Sequence, residues 1–157
     1  MNKIKKVIGT AIFLRKARHY CAYRERCHKE VYSKLLEWGS SSKLSEEILS
    51  DLITSGFVNE ERYAKHYAGS KFRQKKWGKV KIKRELQKRH ISEYCIAMGM
   101  KEIEEEDYLK TLKQIIEKKK TEFRSDKLGL RNNKIGKYCI QKGFEPALVW
   151  EELKQAS

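Results

Sequence analysis

Apolar residues recur at helical intervals along almost the whole chain, and the alternation expected of strands is nearly absent. Leu44, Ile48, Leu49, Leu52 and Ile53 fall on one face of a helix, with Gly56 placed to cap its C-terminal end. Asn59 reads as the N-cap of the next helix, because its side-chain oxygen can accept a free backbone N–H, and Glu60 and Glu61 suit a positive helix start. Val58 and Tyr63 have the spacing of a hydrophobic staple across that cap. Tyr63, Ala64, Tyr67, Ala68 and Phe72 continue one apolar face until Gly78 interrupts the helix. The helix after it is expected to bury Val80 or Ile82 with Leu86, leaving Lys79, Lys81, Lys83 and Arg84 on its other faces.

The pattern repeats. Val31, Leu35 and Gly39 superpose on Ile82, Leu86 and His90, and again on Ile135, Cys139 and Gly143, each set spaced four and four. Every set predicts an apolar helix that stops at a turn. A longer helix precedes each one (5–23, 60–75 and 107–122), and a short amphipathic helix follows (44–55, 92–103 and 146–155). Pro146 suits the opening of the last, since its missing N–H would be unpaired in a first turn anyway. The expected fold is all-α, built as three tandem three-helix repeats over 5–57, 58–104 and 105–156.

Composition narrows the partner. At 157 residues and 39% apolar content the chain supports one core or a short row of small ones. A formal charge of +15 and a pI near 9.7 favour an acidic partner: nucleic acid, an anionic membrane or an acidic protein surface. That charge is concentrated. Between Lys71 and Arg89, ten Lys or Arg stand against Glu85 alone, a local net of +9. The four cysteines, at 21, 27, 95 and 139, have no Cys-x-x-Cys spacing and read as free thiols in a reducing, cytoplasmic compartment. Lys3, Lys5 and Lys6 followed by an apolar run imitate a signal peptide, but Arg15, Lys16 and Arg18 stand where a cleavage site belongs. No apolar run approaches the roughly 18–20 residues that cross a bilayer, so no membrane partner is expected.

The basic stretch nominates Lys71, Arg73, Lys75, Lys76, Trp77, Lys79, Lys81, Lys83, Arg84, Lys88 and Arg89 as a contact surface. A lysine-rich helix face is often only a solvated face, but such faces mix signs and this one hardly does. Tyr63, Tyr67 and Phe72 have core spacing, whereas Trp77, beside the helix break, is the best-placed aromatic for base stacking. Glu85 can pair with Arg89 or Lys81 at a spacing of four. His19, Cys21, Cys27 and His28 are zinc-ligand types, yet their spacing fits no common template, so no metal is expected. Glu102, Glu104, Glu105, Glu106 and Asp107 span a helix boundary and read as acids favouring a helix start. With no glycine-rich phosphate loop and no nucleophile elbow, neither a catalytic residue nor a cofactor is expected.

Gly56-Phe57-Val58-Asn59-Glu60-Glu61-Arg62-Tyr63-Ala64 resembles the most specific signature of the RecX family of bacterial regulators. Arg26 to Val31 with Lys34-Leu35 is similar to its first-repeat pattern, with Cys27 at a common Ser or Thr position. Lys76-Trp77-Gly78 with Ile82 and Glu85-Leu86 resembles the second-repeat opening, and Lys142-Gly143-Phe144 the end of the third repeat's middle helix. The wording from Tyr20 to His28, with Trp77-Gly78, looks like the Bacteroidetes-type version. His90 departs from a usual Gly, and Cys139 from a usual Leu.

The resemblance implies an elongated, curved array, acting as a cytoplasmic monomer with no catalytic activity. It implies binding to the RecA filament on single-stranded DNA and suppression of filament extension, ATPase and strand exchange, and hence a role in recombination and DNA repair. Two other classes remain open from the residues themselves. A tandem helix-turn-helix DNA-binding protein would need Arg, Asn or Gln on one exposed helix face, and here only Gln87, Arg84 and Arg89 qualify. A scaffold for an acidic protein would bind without nucleic acid.

Overall fold

The computed structural model describes residues 2–156. Among them run nine helices and no strand: α1 (Asn2–Tyr23), α2 (His28–Glu37), α3 (Ser42–Thr54), α4 (Glu60–Lys75), α5 (Lys79–Lys88), α6 (Glu93–Met100), α7 (Glu105–Glu122), α8 (Leu128–Gln141) and α9 (Pro146–Ala156). Local chemistry explains the starts. The side chains of Ser41, Asn59 and Ser92 accept the N–H of Leu44, Arg62 and Cys95, capping α3, α4 and α6. Glu60 and Glu61 occupy the first turn of α4, and Glu105, Glu106 and Asp107 that of α7. Pro146 is the first residue of α9.

The threefold register extends to the backbone. Val31, Ile82 and Ile135, then Leu35, Leu86 and Cys139, are all 0% exposed. Four residues later Gly39, His90 and Gly143 have φ of +96°, +58° and +102°. In each turn the following N–H, from Ser40, Ile91 or Phe144, donates to the carbonyl of Leu35, Leu86 or Cys139 at 3.0–3.2 Å. This is a left-handed C-terminal cap used three times, and His90 holds it without being glycine. Gly56, at φ +81°, ends α3 in the same way.

Three local expectations need revision, and one open alternative is settled. The break after α4 is made by left-handed Lys76 (φ +55°), not by Gly78, whose φ of −75° any residue adopts. Val58 and Tyr63 are buried in different cores rather than stapled to each other. Of the two candidates in α5, Ile82 is the one buried, together with Leu86. Finally, α6 stops at Met100, and α7 begins at Glu105, two residues before the acidic run was expected to turn helical.

Every substantial helix–helix packing falls within one of the triplets α1–α3, α4–α6 and α7–α9. The first encloses its own core of Ala17, Cys21, Val31, Leu35, Ile48, Leu52 and Val58. The second and third share a larger one that runs from Ala64 and Ile82 through Tyr108 and Phe144 to Leu153. The result is an all-α row of three tandem three-helix repeats.

Polar joints connect the row. The first residue of a middle helix meets the first residue of the next triplet's opening helix: His28 Nδ1 lies 2.9 Å from Glu60, and Lys79 pairs with Glu105. A buried tyrosine follows three positions later in each case. Tyr63 donates to Glu30 (2.9 Å), and Tyr108 donates to Glu145 (2.6 Å) while accepting the Lys79 N–H (3.0 Å). At the second joint the N–H groups of Gly78 and Val80 donate to the carbonyls of Lys142 and Gly143 at 2.8 and 2.9 Å. The unpaired amides at the start of α5 and the unpaired carbonyls at the end of α8 thus satisfy each other. A Cβ on Gly78 would overlap the Gly143–Phe144 backbone, so the missing side chain serves this approach rather than a helix break.

Candidate functional site

The basic stretch does not form one face. α5 buries Ile82 and Leu86, and its cations divide to either side of that stripe. On one side Lys79 is held by Glu105 and lies 4.5 Å from the Tyr108 ring, while Lys83 reaches Glu93 at 3.9 Å. Lys79 is therefore part of the joint. On the other side cations and aromatic rings alternate. Arg89 lies 4.9 Å from the Tyr67 ring centroid, Lys71 5.4 Å from Tyr67 and 5.1 Å from Trp77, and Lys81 4.3 Å from Trp77. Trp77 is half-buried between these two lysines rather than bare, so an incoming base would meet ammonium groups before the ring.

Glu85 is the acid within the stretch, and it is occupied. It accepts from Lys88 at 3.1 Å and from Arg89 at 3.4 Å, not from Lys81. The hydrogen bond from Lys88 holds its carboxyl below the usual carboxylate range, with Arg89 adding to the effect. Arg73, Lys75, Lys76 and Arg84 are exposed, and no carboxylate lies within ion-pair reach of them among the described residues.

The fold adds a residue that sequence reasoning missed. Lys142, at the C-terminal end of α8, comes to the second repeat through the Gly78–Gly143 joint and donates to the Lys75 carbonyl at 2.6 Å. Partial burial, and then the charges of Lys81, Lys76 and Lys75, hold its ammonium below the ordinary lysine range. These four lysines, with Lys71 and Trp77 beside them, form a cluster that crosses the joint between the second and third repeats. Such a cluster is relieved by an anion. No sequence signal joined the two, since Lys142 lies 67 positions from Lys75 in the chain.

The thiols and imidazoles near the first joint do other work. Cys21, Cys27 and Cys139 are buried, and burial pushes the thiols of Cys21 and Cys139 up to about 11. His28 faces Glu60, and no group of His, Cys, Asp and Glu able to hold a metal occurs among the described residues. A polar cleft of about 440 Å³ opens beside this joint, lined by residues that include Arg24, Glu30, Tyr67, Lys71 and Arg89. No helix of the described residues is long and apolar enough to cross a membrane.

The fold and this surface define a class: a three-helix-repeat protein with a lysine cluster set at a repeat joint. The family pattern described as "RecX, second three-helix domain" matches residues 59–100, which cover α4 to α6 from the capping Asn59 onward. The chain is 25% identical over 139 residues to the regulatory protein RecX of Bacillus cytotoxicus, covering 87% of this chain and 52% of that protein. It is 30% identical over 135 residues to the regulatory protein RecX of Clostridium acetobutylicum, covering 83% and 62%. The crystal structure of RecX from Lactobacillus salivarius superposes with a TM-score of 0.84 at 22% identity, over 93% of this chain and 95% of that one. A second crystal structure, of a regulatory protein RecX, gives 0.82 at 23% identity, over 99% and 78%. The chain belongs to the RecX family. It spans about half the length of the Bacillus relatives it matches.

Proposed function

We propose that this protein regulates the RecA recombinase by binding the RecA filament on single-stranded DNA, where it inhibits filament extension, ATP hydrolysis and strand exchange. In this reading it is not an enzyme, and its working surface is the cluster of Lys75, Lys76, Lys81 and Lys142 with Lys71 and Trp77. One observation carries the reading: Lys142 of the third repeat donates to the Lys75 carbonyl of the second at 2.6 Å, which gathers lysines of two repeats, and partial burial, then their charges, hold its ammonium below the ordinary range. A phosphate backbone or an acidic protein edge relieves that repulsion, and a filament groove offers both. Direct base reading by α5 is weakly supported. Arg89 is engaged by Glu85 and Tyr67, and Gln87 lies 3.4 Å from Glu93, which leaves Arg84 alone.

The test is ATP hydrolysis by RecA on single-stranded DNA. Added at stoichiometric ratio, the wild-type protein is expected to suppress hydrolysis, while the variant K75E/K76E/K81E/K142E needs at least about tenfold more protein, equivalent to ~1.4 kcal/mol. Hydrolysis unchanged by the wild type would remove the RecA assignment. Equal inhibition by the two proteins would instead move the contact elsewhere on the array.

A further inference from the structure

The two joints of the row occupy the same register and are built differently. At the second, rings of two repeats stack: Phe72 lies 5.9 Å from Tyr108, and Tyr108 5.1 Å from Phe144. Both repeats share one apolar core there, and two backbone hydrogen bonds join the start of α5 to the end of α8. At the first joint the corresponding positions hold Cys21, Tyr63 and Ile91. Cys21 is buried in the core of the first repeat and Tyr63 in that of the second, where it stacks on Tyr67 of its own helix. Cys27 stands where Gly78 stands, each being the N-cap of its middle helix. Cys27 brings a Cβ to the position that Gly78 leaves bare, and among the described residues no backbone hydrogen bond joins α2 to α5. It is the only buried side chain of the first repeat that enters the neighbouring core.

Polar side chains hold the first joint instead. His28 Nδ1 lies 2.9 Å from Glu60, Arg62 donates to Glu25 at 2.7 Å, Tyr63 to Glu30 at 2.9 Å, and Lys29 Nζ to the Lys88 carbonyl at 3.2 Å. The His28 and Arg62 side chains are 37% and 45% exposed, and pairs so open to water hold weakly. Glu30 and Glu60 each leave Oε2 buried with no hydrogen bond. Water relieves a buried oxygen that lacks a donor, so opening this joint recovers part of what its contacts lose. There is room for the movement: clefts of about 440 and 520 Å³, both lined by Arg24, Glu30 and Arg89, flank the joint.

We propose that the first joint is a hinge: the second and third repeats form one rigid body, and the first repeat swings on it as an arm latched by His28–Glu60 and Arg62–Glu25. In a repeat array each interface contributes its own share of stability, so the joint with the least shared core opens first. Lys71, Lys75, Lys76, Lys81 and Lys142 all belong to the rigid body, whereas Arg24 and Glu25 of the arm line a cleft that Lys71 also borders. The arm therefore moves beside the lysine cluster and leaves its geometry intact. The proposal does not depend on the partner assigned above.

Residual dipolar couplings of the backbone amides in a stretched neutral gel test it, since they average over motions up to the millisecond range of domain hinges. Couplings from α4 to α9 are expected to fit a single alignment tensor. Those from α2 and α3 should fit one smaller in magnitude by roughly a third, the contrast between rigid and flexible segments. In E25A/E60A the tensor of α2 and α3 shrinks further while that of α4 to α9 is unchanged. One tensor of equal magnitude for all these helices overturns the proposal. So does a departure of α7–α9 from α4–α6, which puts the weak joint elsewhere, or a variant whose α2 and α3 tensor matches the wild type's. Amide chemical shifts within α2 and α3 check that the arm stays folded; should the variant unfold it, the wild-type chain at raised salt, which screens Arg62–Glu25, decides by the same criteria.

Discussion

At the scale of the residue, His90 holds a conformation that its counterparts Gly39 and Gly143 adopt without penalty. Left-handed backbone costs a side-chain-bearing residue ~1–2 kcal/mol, and glycine adds ~0.5–1 kcal/mol of unfolded-chain entropy. His90→Gly is therefore expected to stabilise the protein by about 0.5–1 kcal/mol in urea unfolding. Glu85 provides a pH-dependent counterpart. Its folded pKa is depressed, so the stability it adds is present above the unfolded value near 4.5 and is lost as pH falls through the folded value. Glu85→Gln should lower the melting temperature at pH 7 and make no difference well below pH 4.5. Features fixed by immediate neighbours were legible from the sequence. Asn59 next to two glutamates, or Gly56 at the end of an apolar stripe, needs only the adjacent turn to act. The tyrosine hydroxyls were not legible, because Glu30 reaches Tyr63 only once the first two repeats have docked, and Glu145 reaches Tyr108 only once the third repeat has folded.

At the scale of the element, the middle helices carry most of the repeat's identity. The register of Val31, Leu35 and Gly39 against the two later sets could be read because it obeys one rule: buried, buried, left-handed turn. The length of α4 was also legible, whereas the role of Gly78 was not. Its backbone angles are ordinary, and only the approach of Gly143 from another repeat excludes a side chain there. Gly78→Ala is accordingly expected to cost about 1–3 kcal/mol through overpacking. Hydrogen exchange would place the damage: the amides of Gly78 and Val80, which donate to the third repeat, should lose protection before those within α2 and α3.

At the scale of the whole molecule, the basic stretch is two surfaces, and the one with more lysines is completed from the third repeat. A linear reading counts Lys79 and Lys81 alike, yet α5 turns the first toward Glu105 and the second toward Trp77 and Lys142. Helical phase separates such neighbours, and only tertiary docking brings in a residue from a distant helix. Replacing Lys75, Lys76, Lys81 and Lys142 by glutamine should flatten the salt dependence of single-strand binding by about 0.7 in logarithmic slope for each phosphate left unneutralised, roughly 3 in all. The same replacement of Lys79 and Lys83 should change the slope little.

The junction of α5 with α8 has a further effect, which concerns the backbone's own field. Amides at the start of one helix meet carbonyls at the end of the other, so the peptide dipoles of α8 and α5 run in series. The opposite partial charges, about half a unit each, cancel where the helices meet. The negative pole of the pair is displaced to the far end of α5, where Lys88 and Arg89 close the basic stretch. The main chain thus supplies part of the counter-charge for Lys88 and Arg89 and little for the lysines at the joint, whose charge is left for an anion to meet.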